Sequence, residues 1–180
     1  MRFGELGGYT GKQMEDELLG SVENPKDMPE LAEKFKENGF IKLKDAMRTI
    51  KRYQPFEDPS DPDPQFANDL HAKVAEKLLI DDYSRVRFYT AVGTYIDVVN
   101  GVDAFLEIDD KSGKTIFVTL DVTINPKKDS HKADVVFFVP SNGIDPKDDR
   151  AMYMEKIEEV ANRVAEAFNN NLEKINKNHN

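Results

Sequence analysis

The chain of 180 residues has no cysteine. That excludes disulfide staples, zinc–thiolate sites and a thiol nucleophile, and it fits a reducing, cytoplasmic compartment. No stretch approaches the ~20 apolar residues of a membrane span. Residues 1–20 lack the basic-then-apolar pattern of a secretory leader, so no membrane role is expected. Positive charge is also scarce. The 25 Lys and Arg stand against 34 Asp and Glu, a net charge of −9. This argues against a histone-like binder, which needs a basic surface. It leaves room for an enzyme acting on nucleic acid, in which acids gather at a metal and bases at a groove while the sum hides both. No P-loop, GxGxxG or GxSxG is present.

What is there suits one domain with a small helical extension. Hydrophobic residues are 39% and charged residues 33%, and a chain of this length buries about 70% of its unfolded surface without staples. Residues 1–53 read as a helical extension. Thr10 caps a helix over 11–19 that Gly20 ends. Pro29 starts a second over 30–38, with Gly39 as its stop. A third covers 40–53, with Ile41, Ala46, Ile50 and Tyr53 as its apolar stripe. Its five cations, Lys42, Lys44, Arg48, Lys51 and Arg52, against Asp45 alone give a local charge of +4. Residues 54–64 hold four prolines and four acids and read as a stiff linker.

Residues 65–180 read as an α/β core. Phe66, Leu70, Val74 and Leu78 stripe a helix over 65–79. The period then becomes two, with strands expected near 85–92, 95–99, 102–109, 115–124 and 133–139. Asp145 and Pro146 open a long helix whose stripe runs from Ile157 to Ile175. The fold class is α/β in the α+β sense: a central, mostly antiparallel mixed sheet flanked by helices.

The chemistry lies on the central strands. Val102, Ala104, Leu106 and Ile108 alternate with Asp103, Phe105, Glu107 and Asp109, and Ile116 to Ile124 alternate with Thr115, Phe117, Thr119, Asp121 and Thr123. Each strand thus has one apolar and one mixed face, and burial of the apolar face fixes the register. With the turn centred on Ser112-Gly113, Asp109 pairs Thr115, Phe105 pairs Thr119, and Asp103 meets Asp121. Two carboxylates so placed repel each other unless a cation or a proton intervenes. Hard oxygen ligands favour Mg²⁺, Mn²⁺ or Ca²⁺. The competing reading is a solvated acidic strand face. A hairpin between the last two strands would add Lys132 and Asp134 to the acidic face, with Lys127 and Lys128 in its turn. A basic group there can activate water or stabilise charge on phosphate.

Gly101-Val102-Asp103-Ala104-Phe105, a turn, and Thr119-Leu120-Asp121-Val122-Thr123 resemble the core of the PD-(D/E)XK nucleases over about residues 65–140. The resemblance implies a restriction-endonuclease-like core that hydrolyses phosphodiester bonds with Mg²⁺ or Mn²⁺. It implies Asp103 and Asp121 as metal ligands and the Val122 carbonyl as a backbone ligand. The lysine position of the family is Thr123 here, and Lys132, then Lys127, are the substitutes. The link to the last strand is shorter than the family's crossover helix. The implied partner is nucleic acid, DNA before RNA, held by Lys42, Lys44, Arg48, Lys51, Arg52, Arg85 and Arg87, and a homodimer is allowed. The other reading is a catalytically inactive binding or assembly module on the same fold.

Other residues read more plainly. Asp97 faces the core after a two-residue turn or sits beside Asp103 after a bulged one; both stay open. Glu76 reads as a surface glutamate, His71 and His131 as lone histidines, and Tyr89 and Tyr95 as packing residues.

Overall fold

The computed structural model describes residues 10–22, 33, 37, 39–127 and 132–177. Apart from residues 33 and 37, the helix expected over 30–38 lies outside these, as does His131. Five described helices and four strands form an α+β fold around a mixed sheet. The helices are α1 (Gly11–Leu19), α2 (Leu43–Ile50), α3 (Gln65–Lys77), α4 (Tyr95–Asn100) and α5 (Arg150–Lys177), and the strands β1 (Val86–Thr90), β2 (Ala104–Asp109), β3 (Thr115–Thr123) and β4 (Val135–Phe138).

The sheet runs β1-β2-β3-β4, with the first three strands antiparallel and β4 parallel to β3. The register of β2 on β3 is the one the alternation demands: Asp109 opposes Thr115, Glu107 opposes Phe117 and Phe105 opposes Thr119. Even-numbered side chains from Ala104 to Val122 enter a core with Met14, Leu18 and Leu19 of α1, the α3 stripe and α5. Tyr153 of α5 donates its hydroxyl proton to Asp69 of α3 at 2.6 Å. His71 is buried, and its Nε2–H donates to the carbonyls of Val86 (2.6 Å) and Tyr83 (3.2 Å), tying α3 to β1.

The odd-numbered face is not wet. Phe105 and Tyr89 stack on it at 5.2 Å, and Ile41, Met47 and Ile50 of the α2 region cover it together with Ile96 of α4. Asp103 and Asp121 each keep 3% of their accessible surface and Glu107 5%, so the solvated-face reading is excluded. The cover comes from sequence-distant residues that strand alternation cannot reveal.

Three expected elements differ. Residues 95–100 form a helix, not a strand. Thr94 enters it with extended backbone, the Gly101 N–H bonds the Asp97 carbonyl, and Gly101 ends it at φ +59°. Val98 and Val99, which suggested a strand, are exposed. The last two strands are parallel, not a hairpin, with Leu120 opposite Val135 and Thr123 opposite Phe138. Alternation in Val135, Phe137 and Val139 specifies a face, and a face is compatible with either strand direction. The long helix starts at Arg150, one turn after Asp145, where Asp149 accepts the Met152 N–H at 2.9 Å.

Candidate metal centre

Asp103 sits where the chain passes from α4 into β2. Its N–H donates to the carbonyl of Leu120 (2.8 Å), the residue that Ala104 opposes in the register. Two residues thus face one, as at a β-bulge, and strict alternation breaks. Val102, expected with the even-numbered core, joins the opposite cluster beside Phe105. The Asp103 carboxylate turns toward β3, where its Oδ2 accepts the Val122 N–H at 2.7 Å. In a strand a residue's N–H and C=O point to the same side, so the Val122 carbonyl also faces β2.

Two acids from helices converge on Asp103. Glu15 lies on α1, which a capping box between Thr10 and Gln13 starts and Gly20, at φ +71°, ends. Met14 and Leu18 anchor α1 in the core, and this docking carries Glu15 inward. Asp97 lies in the first turn of α4, where its Oδ2 accepts the Gly93 N–H at 2.7 Å. One carboxylate oxygen from each of Glu15, Asp97 and Asp103 lies within 4.8 Å of the others. Oxygens bound to one ion at about 2.1–2.4 Å can be no farther apart than twice that distance. All three donors are hard oxygens, which suits Mg²⁺, Mn²⁺ or Ca²⁺ and disfavours softer metals.

The electrostatics agree with the geometry. Burial, then the charge of Glu15, then those of Asp121 and Asp97 push the Asp103 carboxyl up to about 8 against the pull of the Val122 N–H. Asp97 is raised as well, by burial first and also by Asp121 and Asp16, while the Gly93 N–H and Lys12 oppose the rise. Asp121 is therefore part of the same field, although the tight triad is Glu15, Asp97 and Asp103. Among the described residues, the charges that act most on Asp103 are all negative. Three buried oxygens nearby in the chain have no hydrogen-bond partner among the described residues: Asp16 Oδ1 on α1, and Thr94 Oγ1 and Asn100 Oδ1 at the two ends of α4.

The other expected site residues lie elsewhere or have other work. Lys132 is exposed and its Nζ donates to the Val99 carbonyl at 2.9 Å. Lys127 is exposed in the turn after β3, its N–H on Asn125 Oδ1. Asp134 accepts both the N–H (2.8 Å) and the hydroxyl (2.9 Å) of Thr119. Thr123 accepts the Asn125 N–H on its hydroxyl. Among the basic residues, Lys51 grips buried Glu107 at 2.7 and 2.8 Å, and Arg87 makes a two-pronged pair with Asp109 at 2.7 and 2.9 Å. Arg85 donates to the Asp109 carbonyl and Arg48 pairs Asp45. Lys42, Lys44 and Arg52 are exposed. Glu76 pairs Lys73 on its own helix.

Sequence reasoning missed Glu15 and left Asp97 undecided. Asp97 carried a usable signal: Thr94 before it and Gly101 after it delimit a short helix as well as a strand. Glu15 carried none, because only the docking of α1 joins it to a strand 88 residues later. No known family model, curated protein or solved structure matches this chain.

Proposed function

We propose that the protein is a divalent-metal-dependent phosphodiesterase acting on nucleic acid, DNA before RNA, with a restriction-endonuclease-like core. The observation that carries this reading is the meeting of buried Asp103 with half-buried Asp97 and Glu15, three carboxylate oxygens within 4.8 Å. Gathered carboxylates repel one another unless a proton or a cation relieves them, and three converging hard oxygens suit the cation. The mixed four-stranded sheet, with acids at the entry of β2 and late in β3, further supports the reading.

In this reading Glu15, Asp97 and Asp103 hold Mg²⁺ or Mn²⁺, with Asp121 and the Val122 carbonyl as further ligands. A bound cation supplies polarisation of a phosphate oxygen and a lowered pKa for the attacking water. The chain's own residues do the rest. The Val122 N–H fixes the Asp103 carboxylate, and the Gly93 N–H fixes that of Asp97. Mg²⁺ keeps several waters.

The position of Lys132 on the Val99 carbonyl favours a second reading, a catalytically inactive module that keeps the metal for binding or assembly. Two measurements separate the possibilities. Titration with Mn²⁺ in a calorimeter should show a site that Asp103→Asn abolishes. Plasmid, linear DNA and single-stranded RNA incubated with Mg²⁺ or Mn²⁺ should be cleaved by the wild type and not by that variant. Mn²⁺ binding without cleavage leaves the second reading standing. No Mn²⁺ binding at all removes both.

A further inference from the structure

The far end of the sheet holds a cavity of about 300 Å³ between the end of α3, the β2–β3 turn and α5. Asp109 at this end and Asp103 at the other are six residues apart along β2, or roughly 20 Å at strand rise. The cavity is therefore separate from the acid cluster. Leu79, Ile80, Phe168 and Leu172 form its apolar wall, and Arg85 and Lys111 stand at its polar side.

Two acids also border it, and both are occupied. The Asp109 carboxylate takes two N–H groups from Arg87 and the Thr115 hydroxyl. Asp110 Oδ1 takes the Ser112 N–H and hydroxyl and the Lys114 N–H. These bonds hold both carboxyls below the usual range. Arg85 spends one N–H on the Asp109 carbonyl, which leaves most of its five donors. Lys111 is exposed at the turn. Arg87 balances Asp109, so Arg85 and Lys111 stand against the ionised Asp110 alone, a small positive excess in a protein whose total is −9.

An independent feature marks the rim. Helix α3 ends in a paired closure, with the Leu79 N–H on Glu76 and the Ile80 N–H on the Ala75 carbonyl. The residue at this position takes a left-handed backbone and is usually glycine. Here it is leucine, at φ +54°, the one described non-glycine residue with positive φ, and its side chain is 80% exposed. Leucine is unfavourable there on both counts, in backbone strain and in exposed apolar surface. A site that gains from an apolar rim explains why it stands there.

We infer that this cavity binds a small amphipathic anion, an aliphatic or aromatic body carrying one carboxylate. The body lies against Leu79, Ile80, Phe168 and Leu172, and the carboxylate meets Arg85 and Lys111. Cavities of this size take ligands of that class.

The test uses the full chain, octanoate as probe and octanol as its neutral counterpart, followed by calorimetry and by chemical-shift changes at Ile80 and Leu172. Octanoate should bind at least ~10-fold more tightly than octanol, the scale of one charge-assisted hydrogen bond. Lys111→Gln should weaken octanoate several-fold and leave octanol unchanged. Leu79→Gly should raise the melting temperature by roughly 2–4 °C and still weaken octanoate. Equal binding of the two probes, no octanoate binding at millimolar concentration, or Leu79→Gly with undiminished affinity would each overturn the assignment. So would a self-association that Leu79→Asp abolishes, since the leucine would then serve a second copy of the chain.

Discussion

Asp103 is a buried carboxyl held by one backbone N–H among three other acids, and its behaviour with pH follows from that setting. Its folded pKa of about 8 lies above the ordinary carboxylate value. Between about pH 4 and pH 8 the folded protein therefore keeps a proton that the unfolded chain has lost. The stabilisation is complete below the unfolded value, declines as pH rises through that window, and stays lost above it. Thermal melts in EDTA should show falling stability from pH 5 to pH 8 that flattens beyond, and Asp103→Asn should remove most of the slope. Metal must displace that proton, so Mn²⁺ affinity should rise with pH up to about 8. A flat affinity over this range would mean that Asp103 is not a ligand. Glu107 shows the opposite solution to the same burial. Lys51 and Arg87 pair it, and Lys51 also lies over the Tyr89 ring at 5.2 Å. Lys51→Met should cost about 2 kcal/mol in urea unfolding, less than a fully buried pair because the lysine is partly wet.

At the scale of elements, α1 is the part whose placement completes the triad. Its Thr10–Gln13 capping box satisfies backbone groups at the first turn, and Thr10→Ala should cost about 1 kcal/mol. Hydrogen exchange should show the loss concentrated in α1, and Mn²⁺ affinity should fall with it because Glu15 is delivered by that helix. Unchanged affinity would detach α1 from the metal. Element β4 shows a different kind of constraint. It runs parallel to β3, and the Asp134 carboxylate serves the Thr119 N–H at the entrance to the pairing. A side chain there replaces a strand partner. Asp134→Ala should leave that N–H short of an acceptor and cost about 1–2 kcal/mol by chemical denaturation.

For the whole molecule, the sheet is shared by two cores. The even-numbered face rests on α1, α3 and α5, the odd-numbered face on α2 and α4. Both cores are built on the same strands, so the sheet cannot come apart without the loss of both. Unfolding in urea should therefore be a single transition, coincident by far-ultraviolet circular dichroism and by tyrosine fluorescence, which no tryptophan overlays. An earlier transition from Tyr53 and Tyr89 alone, isolated by tyrosine replacement, would show that residues 10–53 come away separately.

The sequence by itself determined the elements and faces that rest on near neighbours. Thr10 and Gly20 delimit α1, the 3.6-residue stripe makes α3 and α5, and alternation sets β2 against β3 in register, because each depends on contacts a few residues apart or on one short turn. It also set the strand acids on the face opposite the apolar one. Tertiary structure decided the rest: that residues 95–100 wind into a helix, that β4 runs parallel, that the odd-numbered face is covered, and that Glu15 and Asp97 join Asp103. These depend on burial supplied by segments far away in the chain, and a local pattern of polar and apolar residues does not encode which distant surface will cover it.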